Sequence, residues 1–180
     1  RKMGIHGQPT CVMNYDGAIG WMVGSPNLGL NAMFTMMNAE RLFVGIQGLG
    51  IGEAAYQKAR NYGRERLQGR SADGSRSPVA IIEHPDVRKM LMTIRSLTEA
   101  GRALAIWTAQ QMDYASRHAD QGERMASAGL VSLLTPVVKA GLTDFGFESA
   151  VMGQQVMGGH GYIAEWGAEQ YVRDARITQI

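Results

Sequence analysis

The sequence has almost no cysteine and almost no imbalance of charge. Cys11 is the single cysteine among 180 residues, which excludes an internal disulfide and is typical of proteins from reducing compartments. We expect its side chain to be half-buried and without a chemical role. Lysine and arginine together number 18, against 16 aspartates and glutamates, and charges of one sign form no runs. This balance argues against nucleic acid as a partner and against a polybasic membrane-binding surface.

Several kinds of site are also missing from the sequence. No apolar run approaches the roughly 18 to 20 residues that a bilayer span needs, and the N-terminus carries no export signal. The histidines, His6, His84, His118 and His160, are far apart, and no pair has metal-ligand spacing. We interpret His84 as a helix-start residue and His160 as filler in a glycine turn. Serine hydrolase chemistry is excluded because no G-x-S-x-G elbow occurs.

The first 28 residues are rich in glycine and predict β structure. Two apolar runs, residues 10–15 and 18–23, flank the Asp16-Gly17 pair. Asp-Gly between two apolar runs indicates a β-hairpin. We therefore expect the end of a β domain here, closed by the breaker Gly24-Ser25-Pro26-Asn27.

The rest of the chain predicts helices. Apolar residues at three-and-four spacing indicate three long helices and a short final one, over residues 31–68, 86–118, 127–151 and beyond, and 167–177. Pro136 is expected to kink or restart the third helix. The polar segment 68–78 predicts a mobile loop. The fold class is therefore mainly α, an up-and-down helical bundle preceded by a short β remnant.

Two features inside the helical region need a choice of interpretation. Residues 45–52 are dense in glycine, as dinucleotide-binding loops are, but the strand before and the acidic residue after that such a loop requires are both absent. Small residues at helical spacing instead predict close packing of two helices. Of the 12 methionines, Met33, Met36 and Met37 cluster on the first helix. Core packing is the favoured interpretation, and a pocket wall that adapts to a flexible acyl chain is the alternative.

The C-terminal stretch carries a resemblance to a known family. Gln154-Gln155-Val156-Met157-Gly158-Gly159-His160-Gly161-Tyr162 is followed after about ten residues by Arg173-Asp174-Ala175-Arg176-Ile177. This order resembles the C-terminal domain of the acyl-CoA dehydrogenases, in which Q-V/I-x-G-G-x-G-Y/F precedes R-D-A-R/K-I. Segments 2–11, 38–42, 62–70 and 84–88 resemble other stretches of the family. Together they are closest to the long bacterial branch that includes the 3-methylthiopropanoyl-CoA dehydrogenases.

The resemblance implies a domain arrangement and a cofactor. Residues 1–28 would be the end of a β-barrel middle domain, and residues 29–180 the C-terminal bundle, truncated before the catalytic loop that the family carries next. In the family, FAD lies at a dimer interface. An arginine of the first helix meets the pyrophosphate of the neighbouring subunit's FAD, and the Q-x-x-G-G turn approaches the adenosine end. The matching cofactor-binding positions here are Arg66, Gln155, Gly158 and Gly159.

The implied reaction is α,β-dehydrogenation of an acyl-CoA thioester. Most family members take the base from a loop glutamate, which would lie beyond Ile180. A minority place it one residue before a near-constant arginine on the first helix, the position of Glu40 before Arg41. Glu40 is either that base or a structural carboxylate of the pocket wall, and Arg41 would support the loop electrostatically. Met37 and Asn38 would line the thioester end of the pocket.

Partners and setting follow from the same resemblance. It implies an acyl-CoA substrate, an electron-transfer flavoprotein as electron acceptor, a homodimer or homotetramer, and the bacterial cytoplasm. Two alternatives stay open, an oxidase-type relative that passes electrons to oxygen and a helical bundle that serves only oligomerisation. The isolated chain is expected to be catalytically inactive.

Overall fold

Three long helices dominate the computed structural model, which describes residues 1–71, 74 and 77–180. They are α1 (Gly29–Glu65), α2 (Pro85–Arg117) and α3 (Gln121–Met157). α1 and α2 begin and end close to their predicted bounds, but α3 begins at Gln121 rather than Ser127. The reason is an N-cap, because the Asp120 side chain accepts a hydrogen bond of 2.9 Å from the Glu123 amide. α3 runs through Pro136 without restarting.

The three helices run up, down and up. Where α1 faces α3, Gly45 lies opposite Val138, Gly48 opposite Thr143 and Gly52 opposite Ser149. Where α1 faces α2, Gly52 lies opposite Thr98 and Gly63 opposite Leu91. Residue numbers rise together on α1 and α3, so these helices are parallel. They change in opposite directions on α1 and α2, which are antiparallel. The predicted mainly α, up-and-down bundle is confirmed.

Glycines bring α1 and α3 unusually close. A methyl group added at Gly48 would lie 2.7 Å from the Leu142 carbonyl oxygen, and one at Gly146 would strike the Gly48 carbonyl. By contrast, nothing lies within 4 Å of the corresponding point at Gly50. The segment 45–52 is therefore a helix-packing surface in the middle of α1, as predicted.

The centre of the bundle combines aliphatic side chains with threonine hydroxyls that are satisfied locally, whereas the buried Ser149 hydroxyl has no partner among the described residues. Ile94, Val138 and Leu142 are completely buried. The buried Thr98 hydroxyl donates to the Ile94 carbonyl at 3.0 Å, and Thr143 donates to the Lys139 carbonyl at 2.8 Å. Bonds of this kind let a threonine occupy a core position without leaving a polar atom unpaired.

α3 bears on the expectation that no apolar run is long enough to cross a membrane. By length and composition alone, it is long and apolar enough to do so. In the structure α3 is the central helix, in contact with both α1 and α2. Its buried residues include Ser127, Thr135, Thr143 and Ser149.

The predicted hairpin in residues 1–28 is wrong, because no strand forms there. Gly17 keeps the predicted bend with a φ of 65°, but the residues on either side of it do not pair. Val12, Trp21 and Val23 are exposed. Two strands without a third element to pack on are at best marginally stable, and nothing among the described residues covers these. Cys11 is exposed rather than half-buried.

A short ribbon lies at the edges of the predicted mobile loop. β1 (Leu67–Arg70) pairs antiparallel with β2 (Pro78–Ala80), so residues expected in the loop form strands at both ends. Residues 72, 73, 75 and 76 of that loop lie outside the described residues. A 3₁₀ turn, Ile81–Glu83, leads into α2, and His84 occupies the N-cap position of α2. Its Nε2 lies 2.7 Å from the Gln68 carbonyl oxygen and so ties the start of α2 to β1.

Short helices complete the fold, and the last of them holds the N-terminal segment. They are α4 (Gly159–Tyr162), a 3₁₀ turn at Ala164–Trp166, α5 (Ala168–Arg176) and a 3₁₀ turn at Ile177–Gln179. The Ile5 amide donates to Asp174 Oδ1 at 2.6 Å, and Arg173 Nη1 donates to the Met3 carbonyl at 3.0 Å. The buried Gly4 sits so close to the Arg173 carbonyl that no side chain fits. The first and last recognisable motifs of the sequence are thus direct contact partners.

Candidate functional site

Three of the predicted cofactor-binding residues line one surface cavity of about 390 Å³. It lies where α1 ends and α3 gives way to α4. Arg66, Gly158 and Gly159 face it, whereas Gln155 does not. The remaining lining residues are Tyr62, Gln68, Ile81, Val156, Met157, His160 and Ile163. Sequence positions about 90 residues apart therefore meet in one place, as the family resemblance implies.

Arg66 is held at this cavity by its backbone. It is the C-cap of α1, where its amide donates to the Tyr62 carbonyl at 2.9 Å, and its own carbonyl accepts from the Ile81 amide at 2.8 Å. The side chain is exposed, and within the described ranges the guanidinium has no hydrogen bond or ion pair. A guanidinium that is positioned but unpaired suits an anion with two acceptor oxygens, such as a phosphate or carboxylate.

The glycine turn needs glycine for two separate reasons. Gly158 has φ 57° and ψ −136°, which side-chain-bearing residues rarely adopt. Gly161 packs against the Gln154 carbonyl so closely that a methyl group would clash. The Gln154 side-chain Nε2 donates to the Gly161 carbonyl at 3.1 Å and braces the turn. Space beside Gly158 and Gly159 is open, so a ligand can approach their backbone.

Gln155 has a different place from the one that the family pattern suggests. Its side chain is exposed and outside the cavity, and its carbonyl accepts the Gly158 amide at 3.0 Å. The brace of the turn is Gln154, which the sequence did not single out. Among the described residues, Gln155 contributes its backbone to the site and no side-chain contact.

The sequence did not predict an aromatic cluster at the cavity, in which Tyr62 and His160 form part of the wall and Trp166 packs against both. The Tyr62 hydroxyl and His160 Nδ1 are 2.9 Å apart, and Trp166 stacks on His160 with ring centroids 4.5 Å apart and planes 12° apart. Tyr62 meets Trp166 edge-on at 5.7 Å. The interpretation of His160 as turn filler is therefore wrong. Tyr62, one turn before Arg66 in a segment that resembles the family, was the available signal.

The predicted substrate and base residues lie far from this cavity. Met37 is half-buried, and Asn38, Glu40 and Arg41 are exposed, on the part of α1 that precedes its first buried residue, Leu42. Glu40 and Arg66 are 26 positions apart, which is about 39 Å along a helix at 1.5 Å per residue. The structure therefore divides the predicted site residues between the two ends of α1.

The C-terminal residues lie near the Glu40 end of the bundle. Lys139 Nζ donates to the Ile180 carbonyl at 3.1 Å, and Gln179 donates to Asp144 Oδ1 at 2.8 Å. Lys139 follows Val138, which faces Gly45 on α1. Ile180 is thus at the level of α1 that lies just beyond Glu40.

A charged network between α1 and α2 is separate from the cavity at Arg66 and from the residues at the Glu40 end of α1. Arg102 bonds Glu53 at 2.9 Å and Glu99 at 3.2 Å. The hydrogen bond from Gln57 lowers the pKa of the Glu53 carboxyl, burial opposes this, and Arg102 lowers the pKa further. Each of these charges has a partner, so the network links two helices and offers no unpaired group to a ligand.

Comparisons with known proteins identify the family of the chain. Residues 27–180 match the family described as acyl-CoA dehydrogenase, C-terminal domain. The chain is 47% identical, over 180 residues, to 3-methylmercaptopropionyl-CoA dehydrogenase of Ruegeria pomeroyi, a match that covers 99% of this chain and 30% of that protein. The chain thus spans less than a third of the length of this relative.

Solved structures share the fold. Butyryl-CoA dehydrogenase from Megasphaera elsdenii superposes with a TM-score of 0.71 at 24% identity, over 87% of this chain and 36% of the other. A chain in the structure described as the electron transferring flavoprotein of Acidaminococcus fermentans superposes with a TM-score of 0.69 at 25% identity, again over 87% and 36%.

Proposed function

The chain belongs to the acyl-CoA dehydrogenase family, and we propose that it is the C-terminal part of an FAD-dependent enzyme that oxidises an acyl-CoA thioester to the trans-2-enoyl-CoA. The observation that carries this proposal is the meeting of Arg66 with the Gly158–Gly159 turn in one cavity. The relative in Ruegeria pomeroyi is described as a dehydrogenase of a CoA thioester, which supports the substrate class.

The cavity fits the pyrophosphate part of FAD. The Arg66 guanidinium is exposed and has no protein partner within the described ranges. The space beside Gly158 and Gly159 is open, so a phosphate group can approach the backbone of the turn, although the Gly158 amide is already bonded to the Gln155 carbonyl. In this proposal Arg66 binds the pyrophosphate and the turn lies against the adenosine end. Gln155 takes part through its backbone, in keeping with its exposed side chain.

The other end of α1 is the proposed substrate end. In this proposal Met37 and Asn38 line the thioester, and the base removes its α-proton. FAD, when bound, would supply the acceptor for the β-hydrogen, which leaves as hydride. Glu40 is one candidate for that base, and its exposure leaves it accessible. The other is the loop glutamate that the family carries after its R-D-A-R-I motif. Ile180 ends near the Glu40 level of the bundle, where such a loop would reach the same pocket and Arg41 would support it.

The separation of the two ends supports an oligomer. With about 39 Å between Glu40 and Arg66 along α1, we propose that one chain serves two flavins, its own through the Glu40 end and its neighbour's through Arg66. A homodimer or homotetramer is then required for cofactor binding. The neighbour described as an electron transferring flavoprotein supports an electron-transfer flavoprotein as acceptor. The proposed setting is the bacterial cytoplasm.

The test is the visible spectrum of the complete protein that carries this chain, before and after anaerobic addition of a panel of acyl-CoA thioesters. A flavin band that bleaches with one thioester supports the proposal and begins to define the substrate. Rapid reoxidation by oxygen, rather than by an electron-transfer flavoprotein, would favour the oxidase alternative. A protein that cannot be reconstituted with FAD would refute the proposal and favour a bundle that serves only oligomerisation.

The base is tested separately with Glu40→Gln in the complete protein. If the loop glutamate is the base, this variant keeps most of its flavin-bleaching rate, whereas a loss of several orders of magnitude assigns the base to Glu40. The isolated 180-residue chain is expected to be inactive, and turnover by it would contradict that expectation.

A further inference from the structure

The aromatic wall of the cavity holds an imidazole that the proposed chemistry does not yet use. His160 is half-buried, its Nδ1 lies 2.9 Å from the Tyr62 hydroxyl, and one ring face is stacked on Trp166. Tyr62 also packs edge-on against the His160 ring, with centroids 5.8 Å apart. Three contacts on two sides fix both the position and the tilt of this ring, which is more than a turn residue needs.

The opposite edge of the same ring is free. Nε2 has no hydrogen-bond partner within residues 1–71, 74 and 77–180. When the Tyr62 hydroxyl donates to Nδ1, the ring proton resides on Nε2, which then becomes a donor. His160 lines the same cavity as Arg66 and directly follows the open Gly158–Gly159 backbone. A ring nitrogen without a partner and an unpaired guanidinium thus belong to residues that line the same cavity.

We propose that His160 is a second anion-binding residue of this cavity and donates from Nε2 to a pyrophosphate oxygen beside Arg66, with Tyr62 as the positioning residue that sets its tautomer. This inference rests on the proposed FAD function. The chemistry requires the pyrophosphate of an adenine dinucleotide, a group that FAD and coenzyme A share. We assign it to FAD, because the cavity lies at the opposite end of α1 from the residues proposed to meet the thioester.

The experiment measures binding of ADP, adenosine and FAD to the flavin-free complete protein by calorimetry. His160→Phe keeps a ring for stacking on Trp166 but removes the donor, and His160→Gln returns a donor near the Nε2 position. Because a hydrogen bond to a charged group is lost, we expect His160→Phe to weaken the binding of ADP and of FAD about tenfold or more. His160→Gln should recover part of that affinity. Adenosine, which has no phosphate, should bind the variants equally. Tyr62→Phe should weaken ADP by a smaller factor.

Each alternative gives a distinct result. One outcome is that wild type binds ADP and FAD, that Arg66→Met weakens this binding and that His160→Phe does not. The inference is then overturned while the proposed function stands. Equal losses for ADP and adenosine would mean that His160 only supports the turn, which also overturns it. A rise in the KM for acyl-CoA with unchanged FAD affinity would assign the pyrophosphate to coenzyme A and contradict the assignment to FAD. If wild type binds neither ADP nor FAD, the proposed function itself fails. Circular dichroism of every variant establishes that the fold is intact.

Discussion

The closest helix contact in the molecule yields a prediction in which one substitution acts in two opposing ways. Alanine is favoured over glycine inside a helix by about 0.5–1 kcal/mol, so Gly48→Ala would stabilise α1 considered alone. In the bundle, the new methyl group would lie 2.7 Å from the Leu142 carbonyl oxygen and 2.9 Å from the Thr143 Cα. Ordinary contacts of this kind are 3.4–4 Å. Both obstructing atoms belong to the backbone, so no side-chain rotation relieves the clash.

The helices must therefore move apart, and packing is lost along the interface on both sides of the new methyl group. Overpacking of this kind costs about 1–3 kcal/mol, which exceeds the gain in helix propensity. We expect Gly48→Ala to lower the free energy of unfolding. Gly50→Ala is the matched control, since it lies two residues away in the same helix with open space beside it. It should raise the free energy of unfolding by about 0.5–1 kcal/mol.

The assay is urea unfolding followed by far-ultraviolet circular dichroism, with midpoint and slope fitted separately. For slopes of about 1–3 kcal/mol per molar urea, Gly50→Ala should raise the midpoint by up to about 1 M, and Gly48→Ala should lower it by up to about 2.5 M. A Gly48→Ala variant that is as stable as the Gly50→Ala control would refute the conclusion that α1 and α3 are in backbone contact. An altered slope would mean that the native or unfolded state has changed, and the comparison would then rest on hydrogen exchange.

Three further perturbations test other parts of the fold. Leu142→Ala, at a completely buried position, should cost about 2–5 kcal/mol, whereas Leu133→Ala, 64% exposed, should stay within about 0.5 kcal/mol of wild type in the same urea assay. The pKa of the Glu53 carboxyl is lowered from its ordinary value of 4.5, so the carboxylate stabilises the fold above about that pH and this stabilisation is lost as the pH falls. The stability difference between wild type and Glu53→Gln should therefore shrink in acid. A difference that stays constant would contradict this. Asp174→Ala removes the acceptor of the Ile5 amide, which should then exchange its hydrogen faster by nuclear magnetic resonance while the amides of the bundle keep their rates.

The sequence predicted the bundle well because helical periodicity is a local signal that the core then reinforces. The packing role of residues 45–52 was also accessible, since small residues every three or four positions have a direct geometric meaning on a helix. The prediction of a hairpin at residues 10–23 was wrong for the opposite reason. Strand pairing depends on what covers the strands, and Val12 and Trp21 have no cover among the described residues.

The candidate site residues that the structure brings together were indicated by the family resemblance and not by any local pattern. Arg66, Gly158 and Gly159 meet as that resemblance implies, but no periodicity in the sequence indicates that a helix C-cap will meet a turn about 90 residues later. The aromatic wall shows the same limit. The contact between Tyr62 and His160 spans 98 residues, and no local pattern signals a contact of that range. The roles of Glu40, Arg41, Met37 and Asn38 stay predictions.

The clamp between the N-terminal segment and α5 has a consequence for the order of folding. Ile5 and its acceptor Asp174 are separated by 169 positions, so during synthesis the early segment emerges long before its partner exists. Contacts of such long range close late, after the loop between them has been ordered. The three long helices can assemble from nearer neighbours in the meantime. Any structure that depends on the placement of Gly4 and Ile5 is therefore completed only after the final turns of the bundle have formed, and a released chain truncated before Asp174 should form a packed bundle in which the segment around Gly4 and Ile5 is free.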